Sequence, residues 1–290
     1  MYRENLDMDI LTVNEPLGLF PKDVGVKPFL KWAGGKTQLL TELHKYIPNN
    51  FNKYIEPFIG GGAMFFSLNP SNSIIADSNE ELVITYTQIK ENVEGVIQHL
   101  ETFKHNEDFF YKIRSVVPDG LEHCYRAARL IYLNKTCFNG LYRVNKKGQF
   151  NVPYGKGKGN FLNGEVLRNA SEFLPETTII KGDYLEVLEK FATEGDFVFL
   201  DPPYYPVSKY SDFKRYTKEL FHHDDQVQLK KEFARLVNMG CKVVLTNSDH
   251  EIILDLYSDY EIDIIETRRM ISSNSQTRTG KDIIVAGGYD

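Results

Sequence analysis

Seven short apolar runs recur along the chain, each bounded by turn residues. They are Lys53 to Ile59, Ser73 to Ala76, Thr177 to Ile180, Phe197 to Leu200, Lys242 to Leu245, Glu261 to Ile265 and Asp282 to Ala286. Each is rich in Val, Ile or Phe and nearly continuous, which is how strands read when helices cover both faces of their sheet. Helical stretches separate several of them: Glu80 to Lys90 follows the second run, and Asp225 to Val237 precedes the fifth. Strands alternating with helices predict a twisted, mostly parallel α/β sheet.

Residues 94–175 break the alternation. Phe103 to Arg114 and Glu122 to Phe138 have the spacing of helices, and Gly140 to Tyr154 reads as a hairpin turning at Asn145-Lys-Lys-Gly148. We read 94–175 as a second domain inserted into an α/β domain made of 27–93 and 176–290. Residues 1–26 are a polar extension with Pro and Gly, to which no chemistry is assigned. That N-terminus lacks the basic start and apolar run of a secretory leader, and no run reaches the roughly 20 apolar residues needed to cross a bilayer. The three cysteines, Cys124, Cys137 and Cys241, form neither a CxxC pair nor a His/Cys cluster. A disulfide framework and a structural zinc site are therefore not expected, and a reducing cytosol is the simple reading.

Charge distribution is more telling than net charge. The chain as a whole carries −6, yet no Asp or Glu occurs between His123 and Gly164. That stretch holds Arg126, Arg129, Lys135, Arg143, Lys146, Lys147, Lys156 and Lys158, a local +8 on an acidic body. Such a patch is expected where a protein meets a polyanion.

Three motifs carry chemistry. Glu56-Pro-Phe-Ile-Gly-Gly-Gly62 follows a strand, and its glycines allow a backbone to approach a bound nucleoside closely. Asp77 ends the next strand, seventeen residues past Gly60, where a carboxylate can hold ribose hydroxyls. The dinucleotide fingerprint wants a further glycine near position 65, which here is Phe65, so a nucleoside without pyrophosphate, such as S-adenosylmethionine, fits better. Lys31-Trp-Ala-Gly-Gly-Lys-Thr37 imitates the tail of a phosphate-binding loop. The glycine that such a loop requires is replaced by Leu30, which excludes an NTPase.

The third motif is Phe197-Val-Phe-Leu-Asp-Pro-Pro-Tyr204, an apolar strand that ends at a carboxylate, two prolines and an aromatic ring. Ligands of open α/β sheets bind at the carboxyl ends of strands. A base amine is a poor nucleophile because its lone pair is delocalised into the ring. Two acceptors, the Asp201 carboxylate and the Pro202 carbonyl, suit its two hydrogens and orient the lone pair toward an electrophilic methyl. Tyr204 offers a flat face for an extruded base.

Taken in order, Lys31 to Lys36, Glu56 to Gly62, Asn139-Gly-Leu-Tyr-Arg143, Phe150-Asn-Val-Pro153 and Asp201 to Tyr204 resemble the Dam-type DNA adenine-N6 methyltransferases of the alpha group. Similarity extends from about Pro28 to about Val285, through Arg268 to Asn274. The resemblance implies a Rossmann-like, class I S-adenosylmethionine-dependent methyltransferase sheet, with 94–175 as an inserted helical and hairpin target-recognition domain. It implies S-adenosylmethionine as methyl donor, S-adenosylhomocysteine as product, and no metal. Trp32 and Lys36 would line the methionine end of the cofactor, and Glu56, Phe58, Gly60 and Gly62 its loop. Asp77 would hold the ribose, Asp183 would meet the adenine ring, and Asp201 would border the transferred methyl. The target would be adenine in double-stranded DNA, usually within GATC, flipped out of the helix and held by Asp201, Pro202 and Tyr204. Arg143 and Asn145 are the candidate base readers, and Arg suits guanine O6 and N7. Lys31, Asn139, Pro153 and Lys158 are further DNA contacts, and Phe138 stands where an aromatic can wedge beside bases. The family often has an aromatic where this chain has Gly157, within a basic, glycine-rich loop. The loops over 209–225 and 272–281, the latter with Arg278 and Lys281, are further candidates for contact with DNA. A monomer acting on DNA in the cytoplasm of a bacterial or phage-infected cell is the simplest expectation, with restriction-modification among the possible settings. Methylation of RNA or of cytosine N4, and a DNA-binding regulator that has lost catalysis, are the rival readings.

Overall fold

The structure, a computed structural model, describes residues 26–32, 34–157, 159–206, 221–268 and 279–289. Its centre is a seven-stranded sheet of β1 (Tyr54–Glu56), β2 (Ser73–Asp77), β3 (Thr177–Lys181), β4 (Phe197–Leu200), β5 (Lys242–Ser248), β6 (Glu261–Arg268) and β7 (Thr279–Gly287). The spatial order is β3-β2-β1-β4-β5-β7-β6. The first five strands are parallel, and β7 lies antiparallel between β5 and β6. This is the class I methyltransferase arrangement expected of the sequence. Chain order reverses between β1 and β4, which pair directly, Ile55 beside Val198. The carboxyl ends of these two strands flank the crevice where open α/β sheets take their ligands.

Alternation along each strand feeds two cores. Tyr54, Phe197, Phe199, Val244 and Ile284 face one side, and Ile55, Val198, Leu200, Val243 and Val285 face the other. The helices are α1 (Leu40–Leu43), α2 (Ala63–Leu68), α3 (Glu80–Glu101), α4 (Glu107–Ser115), α5 (His123–Thr136), α6 (Gly164–Phe173), α7 (Tyr184–Phe191), α8 (His223–Asn238) and α9 (Glu251–Leu256). Phe110, Leu130 and Ile131, from α4 and α5, belong to the same buried cluster as Tyr54 and Phe197 of the sheet.

Several boundaries differ from the sequence expectation. The helix from Glu80 does not stop at Lys90. It kinks at Asn92 (φ −151°, ψ 56°), whose Oδ1 accepts from Gly95 N–H at 3.1 Å and restarts the spiral in the manner of an N-cap. The second half then buries Val96, Ile97 and Leu100 and carries α3 into the 94–175 segment. α4 begins at Glu107, not Phe103, because Asn106 caps it by accepting from Phe109 N–H at 2.8 Å. α5 ends at Thr136, not Phe138, since Cys137 turns extended and bridges to Tyr154. The run Lys53 to Ile59 contains a strand of three residues only, because Pro57 and the glycines turn the chain.

The hairpin is held by two isolated bridges, Cys137 to Tyr154 and Val144 to Phe150. Its tip closes as expected: Asn145 Oδ1 accepts from the N–H groups of Lys147 (2.9 Å) and Gln149 (3.1 Å), and Gly148 takes φ +77°.

The basic stretch requires a correction. Arg126 is buried and pairs with Glu81, its Nε donating to Oε1 at 2.9 Å. Arg129 is also buried and donates to the carbonyls of Ile113 (3.1 Å) and Arg114 (3.2 Å). Both cations are engaged inside the fold, a use that counting charge along the chain does not distinguish from surface display. Lys158, Arg278 and positions 209–220 and 272–278 lie outside the described residues; at the remaining ends of the two expected loops the chain is regular structure, with Asp224 and Asp225 in α8 and Thr279 to Lys281 in β7.

Candidate active site

Asp201 emerges from the end of β4 with one carboxylate oxygen doubly engaged. Its Oδ1 takes the Lys36 ammonium at 2.6 Å and the Thr246 hydroxyl, from β5, at 2.9 Å. Lys36 is buried, also donates to Gly34 O, and stands 4.6 Å from the centroid of the Tyr204 ring. The Lys31–Thr37 and Asp201–Tyr204 motifs are thereby joined through one ammonium. Burial pushes the Asp201 carboxyl above its usual range, opposed by the Lys36 charge and by the hydrogen bonds from Lys36 and Thr246.

The backbone beyond Asp201 is held from below. Gln226 of α8 donates to Pro203 O at 3.1 Å and accepts from Asn247 Nδ2 at 3.0 Å. Asn247 Oδ1 accepts from Tyr205 N–H at 3.0 Å, and the Ser248 hydroxyl donates to Tyr205 O at 2.8 Å. Gln226, Asn247 and Ser248 are fully buried. No motif marks these residues, and the sequence expectation omits them. Their one visible signal is a run of three polar residues, Thr246-Asn-Ser248, closing an otherwise apolar strand.

The glycine loop lies one strand away. Gly60 and Gly62 have φ of +46° and +69°, a region that side chains disfavour. A Cβ on Gly60 would stand 2.7 Å from Trp32 Cδ1, and one on Gly62 2.7 Å from the Tyr86 hydroxyl. Close packing by the protein itself therefore already demands both glycines. Asp77 ends β2 and faces this loop. Its Oδ2 accepts from Gly60 N–H (3.3 Å) and its Oδ1 from Asn79 N–H (2.9 Å). Burial pushes its carboxyl up to about 6, against those two bonds. Glu56 is buried beneath the loop, accepting from the Tyr54 hydroxyl at 2.7 Å. Burial holds its carboxyl well above the usual range. Phe58 packs at 5.0 Å from the Tyr184 ring and 6.2 Å from Phe221. Asp183 caps α7, accepting from Leu185 N–H at 2.9 Å, and Gly182 N–H bonds to Asp77 O. The turn after β3 therefore sits beside the Asp77 turn. This set fits a nucleoside: a carboxylate for vicinal hydroxyls, an aromatic wall, and a loop without side chains at two positions.

The proposed DNA-facing residues gather around the hairpin. The buried Asn134 of α5 clamps the Lys31 backbone from both sides, accepting from its N–H (2.9 Å) and donating to its carbonyl (2.7 Å). The same amide donates to Gly140 O at 3.1 Å, and a Cβ on Gly140 would strike the Lys31 side chain at 2.5 Å. Lys31 is thus laid across the turn that carries Asn139. Burial and the nearby Lys31 charge push the Lys135 ammonium down to about 8. Phe138 is half exposed at 50%, an unusual state for a large apolar ring, and Asn139 beside it has φ +55°. Pro153 is exposed and its carbonyl accepts from Phe138 N–H at 2.9 Å. Arg143 is aimed by Asn151, whose Oδ1 accepts from its Nε at 2.7 Å. The Asn145 amide is occupied by the turn and by Gln149 Oε1 at 3.0 Å. Among the described residues, a side chain added at Gly157 would meet nothing within 4 Å, so their packing does not require glycine there.

Comparison with known proteins agrees with this geometry. The family model of the D12 class N6 adenine-specific DNA methyltransferases matches residues 32–271. The Type II methyltransferase M1.LlaDCHI of Lactococcus lactis subsp. cremoris is 40% identical over 92% of this chain and 96% of its own length. M.MjaIII, a Type II methyltransferase of Methanocaldococcus jannaschii, is 40% identical over 87% of this chain and 95% of its own. The DNA adenine methylase of Escherichia coli K12 is 30% identical over 90% and 94%. The chain belongs to the D12 class of N6 adenine-specific DNA methyltransferases.

Proposed function

We propose that this enzyme methylates adenine N6 within GATC in duplex DNA, acting as a monomer on a base flipped out of the helix, without a metal ion. The observation that carries the reading is the meeting of Asp201, Lys36 and Tyr204 at the switch point between β1 and β4, beside the glycine loop. S-adenosylmethionine, when bound, supplies an electrophilic methyl group; Gly60, Gly62, Phe58, Trp32, Asp77 and Asp183 are the residues assigned to hold it. The Asp201 carboxylate and Pro202 carbonyl accept the two amine hydrogens, turning the lone pair outward for in-line attack. Tyr204 stacks on the adenine, and the Lys36 charge opposes the upward push of burial on the Asp201 carboxyl.

Segment 94–175 is assigned to target recognition. Support comes from the convergence of Lys31, Phe138, Asn139 and Arg143 around one hairpin, with Asn151 orienting Arg143. Two relatives that are 40% identical are named Type II methyltransferases, which favours a place in a restriction-modification system, in a bacterial or phage-infected cytoplasm. The test is to express the chain in a host lacking adenine methylation and to map modified adenines across the genome. Methyladenine confined to GATC is expected. A different motif refutes the site assignment, and modified cytosine or RNA refutes the substrate.

A further inference from the structure

Trp32 stands between two parts of the molecule that have separate tasks. On one hand it lies against the glycine loop: a Cβ on Gly60 would meet its Cδ1 at 2.7 Å, and one on Gly61 its Cβ at 3.1 Å. On the other hand its ring stacks on Tyr142 of the hairpin, with centroids 5.1 Å apart and planes within 19°. Tyr142 is buried, and its ring meets Phe150 of the opposite hairpin arm at 5.7 Å. The next residue is Arg143, tied to Asn151 on that same arm. The Asn134 clamp fixes the chain immediately before Trp32 and the turn immediately before Tyr142 in one hydrogen-bonded unit. A continuous packed path therefore runs from Gly60 through Trp32 and Tyr142 to Arg143.

We propose that Tyr142 is a positioning residue that couples occupancy of the glycine-loop nucleoside site to base reading by Arg143. The inference rests on the functional reading above. Ordering the loop around a nucleoside fixes Trp32, the stack fixes Tyr142, and the hairpin then loses less entropy on meeting DNA. By reciprocity, cognate DNA tightens the nucleoside by the same factor.

The test uses the full chain, S-adenosylhomocysteine, a short duplex carrying the mapped methylation site, and the same duplex with that site scrambled. In the wild type, S-adenosylhomocysteine is expected to tighten the cognate duplex by about five-fold or more, and the scrambled duplex by less. Tyr142→Leu is expected to reduce that ratio to within about two-fold of unity, while Tyr142→Phe, which keeps the ring, retains it. Thermal midpoints identify any variant that is merely unfolded. A second measurement needs no substitution. Trp32 is the sole tryptophan in the sequence, so its emission reports the stack directly. Cognate duplex alone and S-adenosylhomocysteine alone should each shift it. An unchanged ratio in folded Tyr142→Leu, or Trp32 emission that ignores cognate DNA, overturns the coupling. Wild type that binds both ligands independently overturns it as well. Failure of the wild type to methylate adenine would instead refute the functional reading itself.

Discussion

Replacing Gln226 by leucine should disable the enzyme without touching a reacting atom. The side chain is fully buried, donates to Pro203 O and accepts from Asn247 Nδ2. Leucine keeps the bulk and removes both bonds. The two losses differ in cost. Pro203 is an exposed residue, so its carbonyl can recruit water and forfeits only the net value of a hydrogen bond, about 0.5–1.5 kcal/mol. Asn247 Nδ2 is fully buried and stays unsatisfied, costing about 1–3 kcal/mol. The sum is about 1.5–4.5 kcal/mol. A chain of this length has an unfolding entropy of about 0.6 kcal/mol/K, so the melting midpoint should fall by about 2–8 °C. The catalytic effect is separable from that. Pro202 and Tyr204 flank the anchored residue, and a displacement of about 1 Å at a reacting group costs up to about 100-fold in rate. Single-turnover methyl transfer on duplex DNA should therefore slow about 10- to 100-fold, with the affinity for cofactor changed far less. Removing both partners in Gln226→Leu/Asn247→Leu should cost less than the sum of the single changes, because neither side chain then leaves the other's amide unpaired, while the Tyr205 N–H loses its acceptor in the Asn247 change with or without the other. A Gln226→Leu enzyme with unchanged midpoint and unchanged transfer rate would refute the reasoning.

Other outcomes follow from the same geometry. Asp201→Ala should abolish methyl transfer while leaving cofactor binding largely intact, as equilibrium binding of S-adenosylmethionine beside a turnover assay will show; full turnover sinks the mechanism. Arg143→Ala should relax base choice by roughly 1–3 kcal/mol, read as the ratio of kcat/KM between cognate and singly altered sites. Asp77 should make cofactor binding pH-dependent. Ribose hydroxyls prefer the ionised carboxylate, so affinity for S-adenosylhomocysteine is full above about 6 and weakens as pH falls through that value, by up to about ten-fold per unit. In the free protein the sign reverses. Folding favours the protonated Asp77, whose pKa is raised from 3.8, so this group adds stability as pH falls below about 6. Calorimetric titration across that range measures the first effect, and affinity independent of pH would remove Asp77 from the ribose site.

Much of the fold is legible in the amino-acid sequence. The parallel sheet follows from strand composition, because residues buried on both faces cannot alternate with polar ones. The Asp201–Tyr204 segment and the glycine loop are legible because proline and glycine restrict or free the backbone locally. The hairpin tip at Asn145 to Gly148 closes as expected for the same reason. Boundaries are less accessible. The kink at Asn92 and the cap at Asn106 depend on which backbone donors lack partners, which a periodicity reading does not weigh.

What the sequence determines by itself is local: which segments pair as strands, where the chain turns, and which side chains are chemically fit for amine methylation. What the tertiary structure decides is partnership. Arg126 and Arg129 look like Lys146 and Lys147 in the sequence, yet the first two are consumed by Glu81 and by the carbonyls at the end of α4. Gln226, Asn247 and Asn134 carry no motif, and Tyr142 lies in one without any role being legible there, yet they hold the segment after Asp201, the Lys31 strap and the stack on Trp32. The reason is physical. A polar or aromatic side chain acquires its role from the group it meets, and those meetings join residues far apart along the chain, as Trp32 and Tyr142 are.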